Sequence, residues 1–172
     1  MPPGGAGKPA LGGWRKVAEG RWPGGGGEKD PWGSAKAARW MPAAGQAVVR
    51  AGLLAWRGVL EEDRASPRER AILVTGVEGA WPEWLQGRSP GNVAREWRSR
   101  PPLWLLECLP NLPAAQLAIE VGVKGPVESR RGRAEDKAAI ERTLERWKGQ
   151  GVRLALVVSL EGEEARAEGW SR

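Results

Sequence analysis

The sequence has no histidine, no phenylalanine and no tyrosine, and Cys108 is its only cysteine. Without histidine the chain lacks the commonest general acid or base and the commonest metal ligand. No Ser-His-Asp or Cys-His arrangement can form within it, and a zinc site built from Cys and His is excluded in the same way. Carboxylate chemistry stays open because the chain has 21 Asp and Glu residues, but no pair of acids stands out. We expect no metal site.

Long apolar runs are also missing, since no segment approaches the roughly 18 uninterrupted apolar residues of a membrane-spanning helix. The first residues lack the apolar core of a signal peptide, and a lone cysteine forms no intrachain disulfide, so we expect a reducing, cytoplasmic location. Gly7-Lys8 lacks the upstream glycine of a phosphate loop, and Gly76 and Gly79 do not make a dinucleotide-binding fingerprint. We therefore expect no cofactor.

The chain is rich in tryptophan, glycine and proline, with eleven Trp, 25 Gly and 14 Pro. We interpret this as the codon bias of a GC-rich genome, with Trp filling the aromatic core positions. The regular alternation of strands and helices argues against a weakly selected reading frame. Residues 1–60 carry nine Lys/Arg against three Asp/Glu, whereas residues 61–172 carry eighteen of each. The formal charge of +6 therefore belongs to the first third of the chain.

Residues 1–33 are rich in Gly and Pro, which predicts a mostly irregular basic arm with room for a short strand over 14–17. Tryptophans recur in and just after this arm at intervals of eight to ten residues, beside arginines. These tryptophans are Trp14, Trp22, Trp32 and Trp40. Two interpretations are open. The indoles can pin the arm onto the domain, which we favour, or Trp and Arg can form a stacking platform for single-stranded nucleic acid.

Residues 34–161 have the pattern of one domain in which helices and buried strands alternate. Two of its segments are continuously apolar, as in strands that are buried on both faces. The predicted helices cover 42–62, 92–97 and 134–148, and these two strands cover 71–77 and 152–159. The alternation predicts an α/β layer built on a mainly parallel sheet. Residues 162–172 are interpreted as a polar tail.

The segment 104–127 is the longest apolar run with internal breaks. Pro110-Asn111 interrupts it, so that the asparagine can cap a helix that starts at Leu112. Gly122 and then Gly125-Pro126 end that helix and direct the chain into a strand. Helical spacing predicts a single inward face, formed by Leu112, Ala115, Gln116, Ile119 and Val123.

The sequence LPNLPAAQLAIEVGVKGPV at 109–127 resembles part of the β-ketoacyl synthases. It is similar to their leucine-proline-asparagine segment, the helix after it, and the glycine-proline that leads into the strand before the nucleophile. The matching motif positions are Leu109, Pro110, Asn111, Gly125 and Pro126. The order of elements over 34–161 resembles the N-terminal half of these thiolase-superfamily enzymes. The resemblance implies a partial thiolase-like layered α/β fold, with a mainly parallel or mixed central sheet flanked by helices.

The resemblance also implies a loss of catalytic groups. In this family a cysteine at a helix N-terminus attacks the acyl thioester, and the matching position falls on Arg133 or Ala134, neither of which can accept an acyl group. Cys108 lies before Pro110-Asn111 and is expected to be a buried core thiol. The second half of these enzymes, which supplies their histidines, has no counterpart here. The chain is most similar to shortened, cysteine-free relatives of the chain-length-factor type, and no catalytic residue is expected.

These features imply a non-catalytic ketosynthase-like protein of fatty-acid or polyketide biosynthesis that associates with a ketosynthase or with itself. An isolated half would leave sheet and helix faces uncovered, and large uncovered apolar faces usually mark an interface. The basic first third could steer an acidic acyl carrier protein. Arg130, Arg131 and Arg133 could contact a phosphopantetheine phosphate, although a solvated loop is the simpler interpretation. The alternatives are a binding module for nucleic acid, whose binding would weaken with salt, and a degenerate remnant without activity.

Overall fold

A single mixed sheet organises the chain in the computed structural model, which describes residues 10–23, 29–33, 36–78, 85, 87–99, 108–132 and 136–172. The strands are β1 (Ala10–Leu11), β2 (Trp14–Trp22), β3 (Arg70–Thr75), β4 (Val127–Arg130), β5 (Leu154–Glu161) and β6 (Glu164–Ser171). The α-helices are α1 (Ala43–Gly58), α2 (Pro90–Glu96), α3 (Leu112–Val121) and α4 (Lys137–Gly149). Short 3-10 helices cover Lys36–Trp40, Glu61–Asp63, Pro67–Glu69 and Trp97–Ser99.

The strands lie side by side in the order β1-β2-β6-β5-β3-β4. β3 pairs in parallel with both β4 and β5, and the chain between these strands crosses over through helices, as parallel pairing requires. β5 and β6 instead form an antiparallel hairpin, and β2 pairs antiparallel with β6. The predicted α/β class, with a mixed sheet flanked by helices, is confirmed. The sheet is not mainly parallel, since three of the five pairings between the described strands are antiparallel.

The sheet carries a hydrophobic core on each face. On β3, Ile72 and Val74 pack in the core that α1 and α3 cover, whereas Leu73 packs with Leu144 and Trp147 of α4. Both faces of β3 are therefore buried, which confirms the interpretation of its continuous apolar run. The layers are α1 and α3, then the sheet, then α4. In the described part of the chain, no helix has the length and apolar character needed to cross a membrane.

Two glycines allow helix α1 to pack closely against its neighbours. A Cβ atom added to Gly20 of β2 would lie 2.3 Å from the carbonyl oxygen of Ala51. A Cβ atom added to Gly52 of α1 would lie 2.3 Å from a methyl carbon of Leu117 on α3. Neither distance leaves room for a side chain, so β2, α1 and α3 are held together through positions that only glycine can fill.

Strand β2 corrects the prediction of a mostly irregular N-terminal arm. It spans nine residues and pairs with β6 from Arg15 to Trp22, with a register shift between Lys16 and Ala18. The Trp14 side chain is only 1% exposed. The sequence signal is weak because the residues facing α1 are small, and the bulge breaks the two-residue alternation.

Strand β6 shows that the prediction of a polar tail over 162–172 is wrong. β6 lies between β5 and β2, and its residues Ala165, Ala167 and Trp170 are buried. Charged residues at Glu164 and Arg166 alternate with these small apolar ones, which lowers the mean hydropathy of the segment. Over 164–167 this alternation follows a strand with one solvated and one buried face, and it was the available signal. Trp170 lies on the same face as the charged residues but packs in the core beneath α4.

Helix α3 begins at Leu112 and ends at Gly122, as predicted, with Gly122 in the left-handed conformation at φ 66°. Asn111 stands at the N-cap position, although its side chain makes no capping hydrogen bond. The predicted inward face is wrong, because none of its five residues is fully buried. Ala115 is exposed and Ile119 is 73% exposed, while Leu112 and Val123 are only partly buried against the core. The buried residues are Pro113, Ala114, Leu117, Ala118 and Val121. Small alanines face α1 here, and the larger isoleucine points outward.

Candidate functional site

A cavity of about 600 Å³ lies where β3 and β4 end and helix α4 begins. Crevices outside the carboxyl ends of parallel strands are the usual ligand sites of α/β sheets. The lining residues are Leu73, Thr75, Arg130, Arg131, Gly132, Asp136, Ala139 and Ile140. This cavity therefore combines an apolar floor, a hydroxyl group, two guanidinium groups and one carboxylate.

Local structure fixes the polar groups at the rim. Gly132 turns the chain out of β4 with φ 108°. Asp136 caps helix α4, because its Oδ1 accepts a hydrogen bond from the backbone N–H of Ala139 at 3.0 Å. On the floor, the hydroxyl oxygens of Thr75 and Ser159 lie 3.2 Å apart. The Asp136 carboxylate thus caps the start of α4 and also lies at the rim of the cavity.

The two arginines of the cavity are held only weakly. Arg130 Nη1 lies 3.5 Å from the carbonyl oxygen of Ala139, and its Nη2 lies 3.5 Å from Glu128 Oε2, both at the long end of hydrogen-bonding distance. Arg131 is exposed and makes no hydrogen bond or ion pair with the described residues. A guanidinium group has five N–H donors. Most of the donors of this pair therefore make no close contact with the described residues.

The carboxylate of Glu128, which lies near Arg130, accepts hydrogen bonds from residues of α4. Its Oε1 accepts hydrogen bonds from Arg146 and, at 3.2 Å, from Nε1 of Trp147. Burial raises the pKa of Glu128, but the hydrogen bonds and charges of Arg146, Trp147 and Arg130 outweigh it and hold the pKa below its ordinary value. The Glu128 carboxylate therefore stays ionised and fastens β4 to α4.

Where α4 does not cover the sheet, strands β2 and β6 carry paired charges instead of an apolar surface. Lys16 Nζ lies 2.9 Å from Glu168 and 3.0 Å from Glu19, and Arg21 lies 2.8 Å from Glu164. Burial lowers the pKa of Lys16, but its hydrogen bonds to Glu168 and Glu19 outweigh burial and raise it. These charges line or adjoin a second cavity of about 740 Å³. The expectation of a large uncovered apolar face is therefore wrong for this surface.

The family-motif residues lie on the α3 side of the sheet and act structurally. Leu109, Pro110 and Asn111 form the turn before α3. Gly125 packs against β3, since an added Cβ atom would lie 2.2 Å from the carbonyl oxygen of Arg70. The carbonyl of Pro126 accepts a hydrogen bond from the N–H of Ile72 at 2.9 Å, which starts the pairing of β3 with β4.

The structure brings only part of the predicted site together. Arg130 and Arg131 share the cavity, whereas Arg133 and Ala134, the positions matched to the lost nucleophile, lie outside the described residues. Cys108 is of intermediate exposure, so the expected buried thiol is not found. It precedes α3 in the chain and does not line the cavity. Thr75 and Asp136 were not singled out from the sequence as cavity residues. The position of Thr75 at the carboxyl end of a buried strand was the available signal.

The tryptophans at positions 14, 22 and 32 pack in or against the hydrophobic core. Trp14 and Trp32 are buried, and Trp22 packs against the core beneath α1. Trp32 Nε1 donates a hydrogen bond to Glu120 Oε1 at 3.0 Å. Indoles packed in this way cannot stack on bases, so the interpretation that they pin the N-terminal segment onto the domain is confirmed for these residues.

The layered sheet and its helices have a fold similar to that of solved ketosynthase structures. No protein-family model and no curated protein matches the sequence. Among the solved structures that match, three align at 13% to 15% sequence identity. The likeness therefore rests on the fold.

The matched structures are ketosynthases and chain length factors. A chain from the ketosynthase ApeO in complex with its chain length factor ApeC, from Xenorhabdus doucetiae, aligns with a TM-score of 0.53 over 84% of this chain and 63% of that one, at 15% identity. A β-ketoacyl synthase from Burkholderia phymatum aligns at 0.57 over 85% and 46%, at 13% identity. The ishigamide ketosynthase/chain length factor aligns at 0.57 over 86% and 48%, at 14% identity. This chain spans about half to two-thirds of their length.

Proposed function

We propose that this chain is a non-catalytic, chain-length-factor-like protein that associates with a ketosynthase in acyl chain biosynthesis of the fatty-acid or polyketide type. The observation that carries the proposal is the ketosynthase fold combined with a cavity at the start of α4 whose described lining residues include no cysteine and no histidine. Two of the three matched structures are described as a ketosynthase with a chain length factor, which supports a ketosynthase as the partner.

The residues that line the cavity support a non-catalytic role. Their polar side chains are Thr75, Arg130, Arg131 and Asp136, and none is a thiol or an imidazole. Histidine is absent from the whole sequence, and Cys108 precedes α3 in the chain and is not among the residues that line the cavity. Acyl transfer through a covalent intermediate needs a nucleophile and a group that activates it. The described residues of the cavity provide no thiol for the covalent step and no imidazole to activate one.

The free edge of β4 is the surface that we assign to the partner. Carbonyl groups of Pro126 and Arg130 accept hydrogen bonds from β3. Because alternate residues of a strand bond to opposite sides, Val127 and Ser129 direct their N–H and C=O groups away from β3. Among the described residues, β4 pairs with no strand other than β3. These groups can pair with a strand of another chain.

Exposed apolar side chains border this edge. Val127 is 38% exposed, and Ile119, on the outer surface of α3, is exposed as well. Helix α3 contacts β4, so the two side chains belong to one side of the sheet edge. An unpaired edge with apolar neighbours is typical of a surface that another strand covers.

The opposite edge of the sheet is protected against pairing. β1 covers only the first residues of β2, and the remainder of β2 carries a register shift and the charged residues Lys16, Glu19 and Arg21. Bulges and charges of this kind prevent strand addition in natural sheets. The difference between the two edges favours β4 as the site of association.

The test is co-expression of this chain with a ketosynthase from the same genome, followed by sedimentation velocity of the purified proteins. We expect a stable heterocomplex that is weakened at least about tenfold by the double substitution Val127→Lys and Ile119→Lys. Leu60→Lys is the matched control, because Leu60 is 60% exposed in the loop after α1. It should leave association unchanged.

Three outcomes would count against the proposal. A chain that stays monomeric alone and with the ketosynthase would contradict association. Homodimers without any heterocomplex would show that the partner is a second copy of this chain and not a ketosynthase. Thioester condensation by the purified chain alone would show that it is catalytic.

A further inference from the structure

The described cavity at the start of α4 has the charge and shape of a binding site for a small organic anion. Arg130 and Arg131 stand at its rim, and the side chains of Leu73, Ala139 and Ile140 form an apolar surface inside it. Its volume of about 600 Å³ falls in the usual range for small-molecule sites. We propose that this cavity binds the carboxylate of a short aliphatic acid, with the carboxylate on the arginines and the aliphatic chain over the apolar surface.

The positive charge comes from the guanidinium groups and not from the helix terminus. Asp136 already caps the start of α4 through its hydrogen bond with the N–H of Ala139. The contacts of Arg130 with the Ala139 carbonyl and with Glu128 are both 3.5 Å long, and Glu128 is itself engaged by Arg146 and Trp147. A carboxylate that accepts two parallel N–H groups from an arginine at about 2.8 Å would make shorter and stronger contacts than these.

The net charge of the rim selects a monoanion. Among the described lining residues, Arg130 and Arg131 contribute two positive charges and Asp136 one negative charge, which gives a formal charge of +1. A carboxylate neutralises this charge. A phosphate monoester, which carries a charge of about −1.5 to −2 at neutral pH, would leave an excess of negative charge beside Asp136. The same arginines therefore favour a carboxylate over a phosphate.

The aliphatic part of the ligand follows from the apolar surface. Leu73 packs in the core between β3 and α4, and Ile140 is partly buried against that core, so both are held in place. Each methylene group buried on such a surface contributes to binding, whereas acetate has no chain to bury. A six-carbon acid should therefore bind more tightly than acetate. This inference is independent of the proposed association, because it concerns the isolated chain.

The experiment is an NMR titration of the full-length chain with hexanoate, acetate, inorganic phosphate and hexylammonium, following the backbone amides of Thr75 and Ala139. We expect saturable shifts with hexanoate, binding at least threefold weaker for acetate and phosphate, and none for hexylammonium. Arg130→Gln combined with Arg131→Gln should weaken hexanoate binding at least about tenfold. Asp136→Asn keeps a good capping residue while removing the negative charge, so it should tighten binding severalfold.

Arg142→Gln is the matched control, since Arg142 is exposed on α4 away from the cavity, and it should change the hexanoate affinity by less than about twofold. Equal losses in the control and in the double arginine variant would show non-specific attraction to the basic surface and overturn the proposal. The absence of saturable binding would overturn it too. So would acetate binding as tightly as hexanoate, or phosphate binding more tightly than hexanoate.

Discussion

Arg50 binds Asp30 through two hydrogen bonds, from Nε to Oδ1 at 2.9 Å and from Nη2 to Oδ2 at 2.8 Å. The guanidinium group of Arg50 also lies 5.4 Å from the ring centroid of Trp22 and 5.7 Å from that of Trp32. One arginine of α1 thus holds the segment around residue 30 and the end of β2 together. This contact fastens the Gly/Pro-rich start of the chain onto the domain.

Replacing Arg50 with lysine should destabilise the fold by about 1–3 kcal/mol, because lysine keeps the charge but cannot form the two parallel hydrogen bonds or stack flat on an indole. Urea unfolding followed by Trp fluorescence measures the change. Arg142→Lys on the exposed face of α4 is the control and should stay within about 0.5 kcal/mol. A loss no larger than that of the control would mean that the contact contributes nothing to stability.

The same contact predicts how stability depends on pH. The hydrogen bond from Arg50 holds the pKa of Asp30 below its ordinary value of 3.8. A carboxylate with a lowered folded pKa stabilises the fold fully above its unfolded pKa, and this contribution is lost as the pH falls through the folded pKa. We therefore expect Asp30→Asn to destabilise the protein at neutral pH and to reduce the loss of stability on acidification. Urea midpoints of both proteins, measured from neutral pH to about pH 3, provide the comparison. Parallel pH profiles would disprove the role of Asp30.

Substituting Gly20 with alanine should cost more than about 2 kcal/mol, since the added Cβ would lie 2.3 Å from the Ala51 carbonyl oxygen and 2.5 Å from the Ala55 nitrogen. Backbone atoms cannot move aside as a flexible side chain can. Gly149→Ala in the last turn of α4 is the matched control, because no atom lies within 4 Å of the added Cβ. The control should be neutral or slightly stabilising. Equal thermal melting temperatures for the two variants would contradict the close packing of α1 on β2.

A chain that ends at Glu161 should fail to fold, although it loses only a segment of low hydropathy. The deletion removes β6, which separates β5 from β2 in the sheet, together with the buried Trp170. Circular dichroism and amide NMR dispersion of the truncated protein test this directly. Removal of Arg172 alone is the control and should preserve the fold. A folded truncated protein would mean that β5 and β2 can be stabilised without β6.

The structure shows which sequence signals were strong enough to read. Continuous apolar runs placed β3 and β5 correctly, and the left-handed Gly122 ended α3 where glycine was expected. The predictions were wrong where the sequence signal was weak, because small residues form the packed contacts there. Ala165 and Ala167 are buried beneath α1 in β6, yet they contribute little hydropathy. Ile119 was placed inward by helical spacing, but it is exposed, and the neighbouring smaller Ala118 is buried in its stead.

The candidate site, too, was predicted only in part from the sequence. Arg130 and Arg131 stood out from the sequence as a basic loop, but Thr75 and Asp136 join them only because β3 is the neighbour of β4 and α4 starts beside both. Residues more than 50 positions apart meet through strand order, which local patterns do not encode. The paired charges of β2 and β6 could not be predicted either, because pairing depends on the register between two distant strands.

The amino-acid sequence alone determined that this protein is an α/β chain without histidine, with two continuously apolar strands and a segment over 109–127 similar to ketosynthases. Composition and local periodicity suffice for such conclusions, since each depends on residues that are close together in the chain. Tertiary structure decided that the two ends of the described chain form neighbouring strands of one sheet, and that two arginines face a cavity. Both results depend on long-range contacts, whose energy comes from burial and register across the whole domain.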